Sequence, residues 1–260
     1  MDIHAYSKAS ELLRGDVLRH LSTLKYLALY RDSADVKLVE DSTNWAVLVT
    51  FPTRVLSYDT ATYPKAKKAV FLNGTCQELK HDLLATLTPD HYLLRLNEDL
   101  ELSRYAGRFA ISKGNVFVSF TCSVLDGPLN RAMIMPCAGI TPQAAEILGR
   151  NGYMEDEISK YFDNGARWFG LETDGRLASA CFVYQNYANV WEIAGVHTIE
   201  AERRRGYAAM VVRSALWYLL GLGLIPRYEA EQNNMNSISL ARHLKMKEFL
   251  TIKHYLLDAR

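Results

Sequence analysis

Three consecutive arginines, Arg203 to Arg205, run into Gly206, Tyr207 and Ala208, ahead of a long apolar stretch, "AMVVRSALWYLLGLGL". A helix N-terminus exposes backbone N–H groups that lack intrahelical partners, and the macrodipole adds positive potential there. Anions, phosphates above all, dock at that end. Gly206 has no side chain to hold a phosphate away from the backbone. The small Ala208 and Ala209 keep the first turn open, and the arginines add charge, each charge-assisted hydrogen bond contributing about 1.5–3 kcal/mol. The local physics reads as strand, phosphate-binding turn, helix. The same residues also fit a solvated arginine run before a turn glycine, because short motifs match by chance. Glu192 is the second candidate for chemistry: a charged residue inside the apolar run "NVWEIAGV", on the segment leading to the turn. A carboxylate there can serve as a general base; on a strand of alternating faces it can equally point to water.

The elements that must position these residues follow from periodicity and turn formers. "AAEILGRNGYMEDEISKYFDNG" (144–165) has helical spacing, interrupted near Gly149–Gly152. Residues 167–198 hold three apolar runs separated by Asp174-Gly175 and Gln185-Asn186, an antiparallel meander. A helix over 206–221, a strand over 226–232, a helix over 235–246 and a strand over 249–258 follow. In the first half, residues 7–30 read as amphipathic helix with a break at Gly15. Strands are expected at 44–52, 54–59, 68–74 and 91–97, and a helix at 76–87 with Thr75 as N-cap. Residues 108–121 read as a hairpin turning at Lys113-Gly114-Asn115. The Gly- and Pro-rich stretch 122–143 marks a boundary, giving an N-terminal α/β domain over 1–125 and a second domain over 130–260. No repeat appears at a period of about 20–50 residues.

The bulk numbers limit the alternatives. The 260 residues suit one large or two modest domains, 49% apolar and 23% charged. A net charge of +1 offers no bulk field to nucleic acid or anionic lipid. Cys76, Cys122, Cys137 and Cys181 form no CxxC pair and lack a His at ligand spacing, so free buried thiols are expected, with no metal site and no disulfide framework. That suits a reducing cytoplasm. The N-terminal sequence has no signal-like apolar run, and the most apolar stretch, Ala215 to Pro226, is too short to span a bilayer.

The turn and its frame resemble the acyl-CoA-binding signature of the GNAT acyltransferase superfamily. Arg203-Arg204-Arg205-Gly206-Tyr207-Ala208 matches that family's R/Q-x-x-G-x-G/A turn, set between "GVHT" and "AAMVVRSAL". Downstream, "NNMNSISLARHLKMKEF" (233–249) resembles its second signature, with Asn234 and Ser237 at the Asn and Ser positions. The resemblance covers about residues 130–258. It departs from the pattern at Lys245, where the family usually has glycine, and at Ala241, where many members carry a tyrosine acid. The resemblance implies an α/β (α+β) protein. Its C-terminal half would be a GNAT fold with a mixed, mostly antiparallel, splayed sheet. The element order of the first half resembles a degenerate GNAT-like half, as in tandem proteins related to the glycine N-acyltransferases (FR47-like type).

Carried over by position, the backbone amides of Arg204, Arg205, Gly206, Tyr207 and Ala208 would hold the pyrophosphate of acetyl-CoA or another short acyl-CoA, with Arg203 at the same turn. Gly195, Val196, His197 and Thr198 would pair with the pantetheine arm, and Asn234 and Ser237 would stand near its thiol end. Glu192 matches the spacing of the catalytic glutamate in the histone-acetyltransferase branch, also in a Glu-Ile pair. Transfer to an amine of pKa about 10.4 needs its neutral form, about one part in a thousand at pH 7, a deficit of roughly 4–5 kcal/mol that a carboxylate base helps to meet. Tyr228, Ser237, Ser239 and His243 are the nearby substitutes for the missing acid. The expected activity is N-acetyl transfer to a small-molecule, amino-acid or peptide amine. The alternatives are a non-catalytic CoA-binding sensor and an aminoacyl transferase drawing on tRNA, the latter opposed by the near-zero charge.

Overall fold

The computed structural model describes residues 3–124, 134–151 and 153–260. The boundary expected at 125–130, and Gly152 in the helix interruption, lie outside the described residues. The chain divides into two units: Met1–Phe117 with Leu250–Arg260, and Val118–Phe249.

The first unit opens with α1 (Ile3–Arg14) and α2 (Leu21–Leu29), separated after Gly15 as the sequence indicates. Leu13, Leu21, Leu24 and Leu27 supply their buried faces. Strand β1 (Asp35–Glu40), which the sequence reading did not contain, is an edge strand whose side chains are mostly half-exposed, and it pairs antiparallel with β2 (Trp45–Pro52). The strand expected over 54–59 is instead a 3₁₀ turn running into α3 (Ser57–Thr62). Pro52 closes β2, the Thr60 hydroxyl donates to the Thr53 carbonyl at 2.7 Å, and Asp59 is drawn inward to the Arg95 guanidinium. Then come β3 (Lys68–Gly74), α4 (Gln77–Ala85) and β4 (His91–Leu96). Cys76 rather than Thr75 caps α4, because the Thr75 hydroxyl accepts from the Trp45 amide at 3.0 Å. Strand β2 pairs antiparallel with β3, and β3 pairs parallel with β4.

Strand β5 (Phe109–Thr121) is continuous where a hairpin was expected. Gly114 serves close approach, not a turn: a Cβ there would lie 3.0 Å from the Tyr63 hydroxyl and 3.1 Å from His254. That hydroxyl accepts from the amide of Asn115 at 2.9 Å.

The second unit contains α5 (Pro142–Gly149), α6 (Glu155–Asp163), β6 (Arg167–Thr173), β7 (Arg176–Tyr187), β8 (Val190–Thr198), α7 (Tyr207–Gly221), β9 (Ile225–Glu231) and α8 (Met235–His243). The last strand, β10 (Lys247–Ala259), pairs antiparallel with β4 in the first unit's share of the chain. The meander β6–β7–β8 is antiparallel, and β8 runs parallel to β9. Its first turn is at Asp174-Gly175, both at positive φ, as expected. The second is at Ala188-Asn189, with Ala188 at φ +50°, and not at Gln185-Asn186. The Gln185 side chain donates to the Ala188 carbonyl at 2.7 Å and fastens that turn from outside. Val211, Val212, Ala215 and Leu219 of α7 pack on Phe169, Val183 and Ile193 of the meander to form the core.

Both units therefore run through two helices, three strands, a helix, and a strand parallel to the one before it, the first unit with the short α3 inserted between its second and third strands. The fold is mixed α/β, with ten strands and eight α-helices among the described residues and mostly antiparallel pairing, as expected. All four cysteines are free, but only Cys181 is buried; Cys76 and Cys122 are half-buried, and Cys137, beside a short bridge to Trp168, is exposed. Among the described residues, no helix is long and apolar enough to cross a membrane, and no group of three or more His, Cys, Asp or Glu could hold a metal ion.

Candidate active site

Strands β8 and β9 pair from Val190↔Ile225 to Ile193↔Tyr228 and stop there, although β8 continues to Thr198 and β9 to Glu231. On its other side β8 carries a bulge: Ala194 opposes Phe182 but His197 opposes Ala180, so one extra residue sits between them. A bulge bends a strand and increases its twist. Gly195 forms it at φ +60°, and a Cβ there would meet Phe182 at 2.8 Å and Leu148 at 2.9 Å. Gly195–Thr198 lie beyond Ile193, the last residue of β8 that pairs with β9. A strand edge that is not paired can take an extended ligand as an added strand. The Thr198 hydroxyl faces β7 and bonds to Ser179 at 2.8 Å, while His197, half-buried beside Arg150 and Arg203, has its pKa lowered first by burial and then by those charges.

The turn after β8 is built on positive φ. Arg204 stands at +62° and Gly206, the N-cap of α7, at +81°, with no side chain capping the helix. Successive amides in such a turn point to one side and form an anion-binding concavity. A Cβ at Gly206 would meet no protein atom within 4 Å, so the space before the helix end is open. Two of the arginines hold the turn: Arg203 Nε donates to the Thr198 carbonyl at 3.2 Å, and Arg205 pairs with Glu202 at 3.1 Å. Tyr207 and Ala208 form the half-buried first turn of α7.

Asn234 caps α8, its side-chain oxygen accepting from the amide of Ser237 at 3.1 Å. The Ser237 hydroxyl bonds to the phenol of Tyr228, the last paired residue of β9. Burial raises the Tyr228 pKa, with Ser237 offsetting part of the rise. Ala241 is buried in the core. Lys245, at the family's glycine position, adopts φ +57°, the backbone a glycine would take. It closes a Schellman motif: its amide bonds to the Arg242 carbonyl at 2.9 Å and that of Met246 to Ala241 at 3.0 Å.

Glu192 does not face water; it is 5% exposed. Arg227, opposite it on β9, donates from Nη1 to Glu192 Oε2 at 2.6 Å, and Asn186 Nδ2 donates to the same oxygen at 2.9 Å. The other end of the guanidinium reaches Glu229, and also Ser119 Oγ at 2.9 Å, which itself donates to Glu229 Oε2 at 2.9 Å. Burial raises the Glu192 pKa, Arg227 opposes the rise and Glu229 adds to it. Tyr184, Glu192's partner on β7, stacks on Tyr161 with ring centroids 4.1 Å apart, and an aromatic cluster with Tyr153 and Phe182 continues from it. Burial holds the Tyr153 and Tyr184 phenols well above their ordinary range.

The structure thus brings Glu192, Gly195–Thr198, Tyr228 and Ser237 to the point where the strands part, with the Arg203–Ala208 turn following on the same chain. Sequence reasoning missed Arg227, Glu229 and Ser119. The one available signal was Arg-x-Glu at strand spacing in "PRYEAEQ", which places both charges on one face.

The family model described as GNAT acetyltransferase matches residues 156–248, a span that includes β8, the turn, α7, β9 and α8. No curated protein matches the sequence. Among solved structures, an acetyltransferase from the GNAT family of Colwellia psychrerythraea is 13% identical with a TM-score of 0.53, covering 94% of this chain and 97% of that one. A GCN5-related N-acetyltransferase from Kribbella flavida is also 13% identical, with a TM-score of 0.51 and coverage of 92% and 95%. A GNAT-family structure from Novosphingobium aromaticivorans is 18% identical, with a TM-score of 0.51 and coverage of 91% and 96%. At these identities the likeness to solved structures is one of fold. The family match lies on the stretch that carries the candidate site, and the fold is shared with GNAT acetyltransferases.

Proposed function

We propose that this protein transfers an acyl group, acetyl or another short chain, from the CoA thioester to a primary amine of a small molecule, amino acid or peptide. The observation that carries the reading is the parting of β8 from β9 beyond Ile193 and Tyr228, followed on β8 by a glycine-capped turn with open space at the helix end. The edge of Gly195–Thr198 would take the pantetheine arm, the amides of Arg204–Ala208 the pyrophosphate, and Asn234 and Ser237 would stand by the thiol. Bound there, the thioester supplies an electrophilic carbonyl and a thiolate leaving group. A β8 backbone amide would donate to the developing oxyanion. The carboxylate cluster beside the parting, of which Glu192 is a member, would supply the base. Tyr228, kept protonated by burial and tied to Ser237, would return a proton to the thiolate.

Calorimetric titration with acetyl-CoA, followed by thiol release against pooled amines and amino acids, tests this reading. Binding with release supports it; no binding refutes it. A second reading, a CoA-binding sensor, draws on the burial of Ala241 where relatives carry their tyrosine acid; binding with no release against any amine would favour it. For the first unit we propose a degenerate copy of the same half, on the strength of the repeated element order. Its link between strand and helix has only residues 75 and 76, whereas 199–206 lie between β8 and α7, so it has no room for a phosphate turn.

A further inference from the structure

We infer that Glu229 is the catalytic carboxylate that takes the proton from the acceptor amine, and that Glu192 is a positioning residue that acts on it through Arg227. This inference rests on the transferase reading and refines the base role within it.

The charge count comes first. Arg227 is shared by two carboxyl groups, Glu192 and Glu229, one more than a single guanidinium needs as an ion-pair partner. A buried ion pair contributes little net stability, and an excess buried charge is a cost. Structure alone does not call for the second carboxylate.

The first unit shows what the structural role requires. In the parallel pair β3–β4 the penultimate match is Phe71↔Arg95; in β8–β9 it is Glu192↔Arg227. Arg95 is thus the counterpart of Arg227, Phe71 of Glu192, and Asn97 of Glu229. Arg95 lies over the Phe71 ring, 4.6 Å from its centroid, and pairs with a single carboxylate, that of Asp59. In the half without a phosphate turn, an arginine at this position is served by one carboxylate, and the positions of Glu192 and Glu229 hold an aromatic ring and an amide. The half that carries the turn has both carboxylates.

Access separates the two glutamates. The Glu229 side chain is 26% exposed and that of Glu192 is 7% exposed. Glu192 has its Oε2 occupied by Arg227 and Asn186. Glu229 lies one residue beyond Tyr228, where β9 has left β8, and so at the mouth of the proposed slot. Ser119 and Arg227 both bond to its Oε2 and fix its orientation. In the step, the amine nitrogen forms a C–N bond to the thioester carbonyl carbon, its proton passes to Glu229, the C–S bond breaks, and the departing thiolate takes a proton from Tyr228. Solvent then carries the proton from Glu229 and restores that of Tyr228, so the sum is amide and free thiol.

The charged and titratable groups around the cluster are Arg227, Tyr228 and Glu229 on β9, Tyr184 on β7, Tyr153 just before α6, and Glu157 and Tyr161 on α6. The experiment measures kcat, KM and the pH–rate profile of thiol release for wild type, Glu229→Gln, Glu229→Asp and Glu192→Gln, with acetyl-CoA binding as the check that each is folded. Glu229→Gln is expected to keep acetyl-CoA affinity, lower kcat by about 100-fold or more, and lose the acidic limb of the profile, since a positioned general base contributes about 10²–10⁴. Glu229→Asp should restore part of the rate and the limb. Glu192→Gln should keep the limb and lower kcat by less than Glu229→Gln does, since Glu192 acts only through Arg227. Wild-type turnover with Glu229→Gln within about threefold of it and its limb intact, against the scale of a general base, would overturn the inference alone, as would loss of the limb in Glu192→Gln. Absence of thiol release in the wild type would remove the transferase reading and this inference with it.

Discussion

Replacing Gly206 with alanine separates the two demands made on that residue. The first is conformational: at φ +81° an L-residue is strained, which costs about 1–2 kcal/mol of folding stability. The second concerns ligand approach. A Cβ at this position touches no protein atom within 4 Å, so the folded protein accommodates the methyl group without rearrangement. It would nonetheless stand where a pyrophosphate meets the amides of the turn. Losing two charge-assisted hydrogen bonds at about 1.5–3 kcal/mol each amounts to about 3–6 kcal/mol, roughly a 150-fold to 20,000-fold rise in Kd. The assay is calorimetric titration of wild type and Gly206→Ala with CoA and with pantetheine, which has the arm but no pyrophosphate. CoA should lose at least about 100-fold, while pantetheine, held by the β8 edge, should change by less than about threefold if the two sub-sites act independently. Equal weakening of both ligands would mean that the substitution acts by disturbing the fold. Unchanged CoA affinity would remove phosphate from the turn. Either result refutes the reasoning.

Three further outcomes follow from the backbone and from burial. Lys245→Gly should stabilise the protein by about 1 kcal/mol, because glycine relieves the φ +57° strain within the Schellman motif; urea unfolding that shows no gain would count against strain there. Gly195→Ala should destabilise by about 2–4 kcal/mol, combining left-handed strain with a Cβ placed 2.8 Å from Phe182, and unfolding within about 0.5 kcal/mol of wild type would refute the bulge geometry. His254 is buried beside Tyr63, and burial, aided by the charge of Arg95, lowers its pKa to about 2. The native state therefore keeps it neutral while the unfolded chain takes a proton below about pH 6.5, so stability falls as pH drops from there toward the folded value, by about 1.4 kcal/mol per unit. His254→Gln should lose about 2–3 kcal/mol less than wild type between pH 7 and pH 4.5 in denaturant titrations, and equal losses would show that this histidine does not titrate on unfolding.

What the sequence disclosed and what it concealed divide along the range of the interactions involved. Local signals carried the turn at Arg203–Ala208, the helix from 235 and the meander's first turn, since each depends on a few consecutive residues. Glycine misled where its role was set at long range: Gly114 looks like a hairpin turn but is a place where Tyr63 and His254 come close to a straight strand. The strand expected at 54–59 failed for the same reason, because Asp59 is drawn in by Arg95, thirty-six residues away. At the site, Glu192 was legible as a charge in an apolar run, but its environment was not. Its pairing with Arg227 depends on strand register across thirty-five residues, and a shift of one residue would have turned Arg227 to the opposite face. Likewise the missing tyrosine at Ala241 was readable, whereas Tyr228 could be singled out from the other nearby substitutes only once β9 placed its phenol against Ser237. The repeated element order explains why no sequence repeat was visible: the two units share topology and the register of one buried arginine, while the residues around Arg95 and Arg227 differ in kind. On the proposed transferase reading, packing constrains both units and chemistry adds its demand to the second. The positions at which matched strands differ, Phe71 against Glu192 and Asn97 against Glu229, are therefore where function is to be sought.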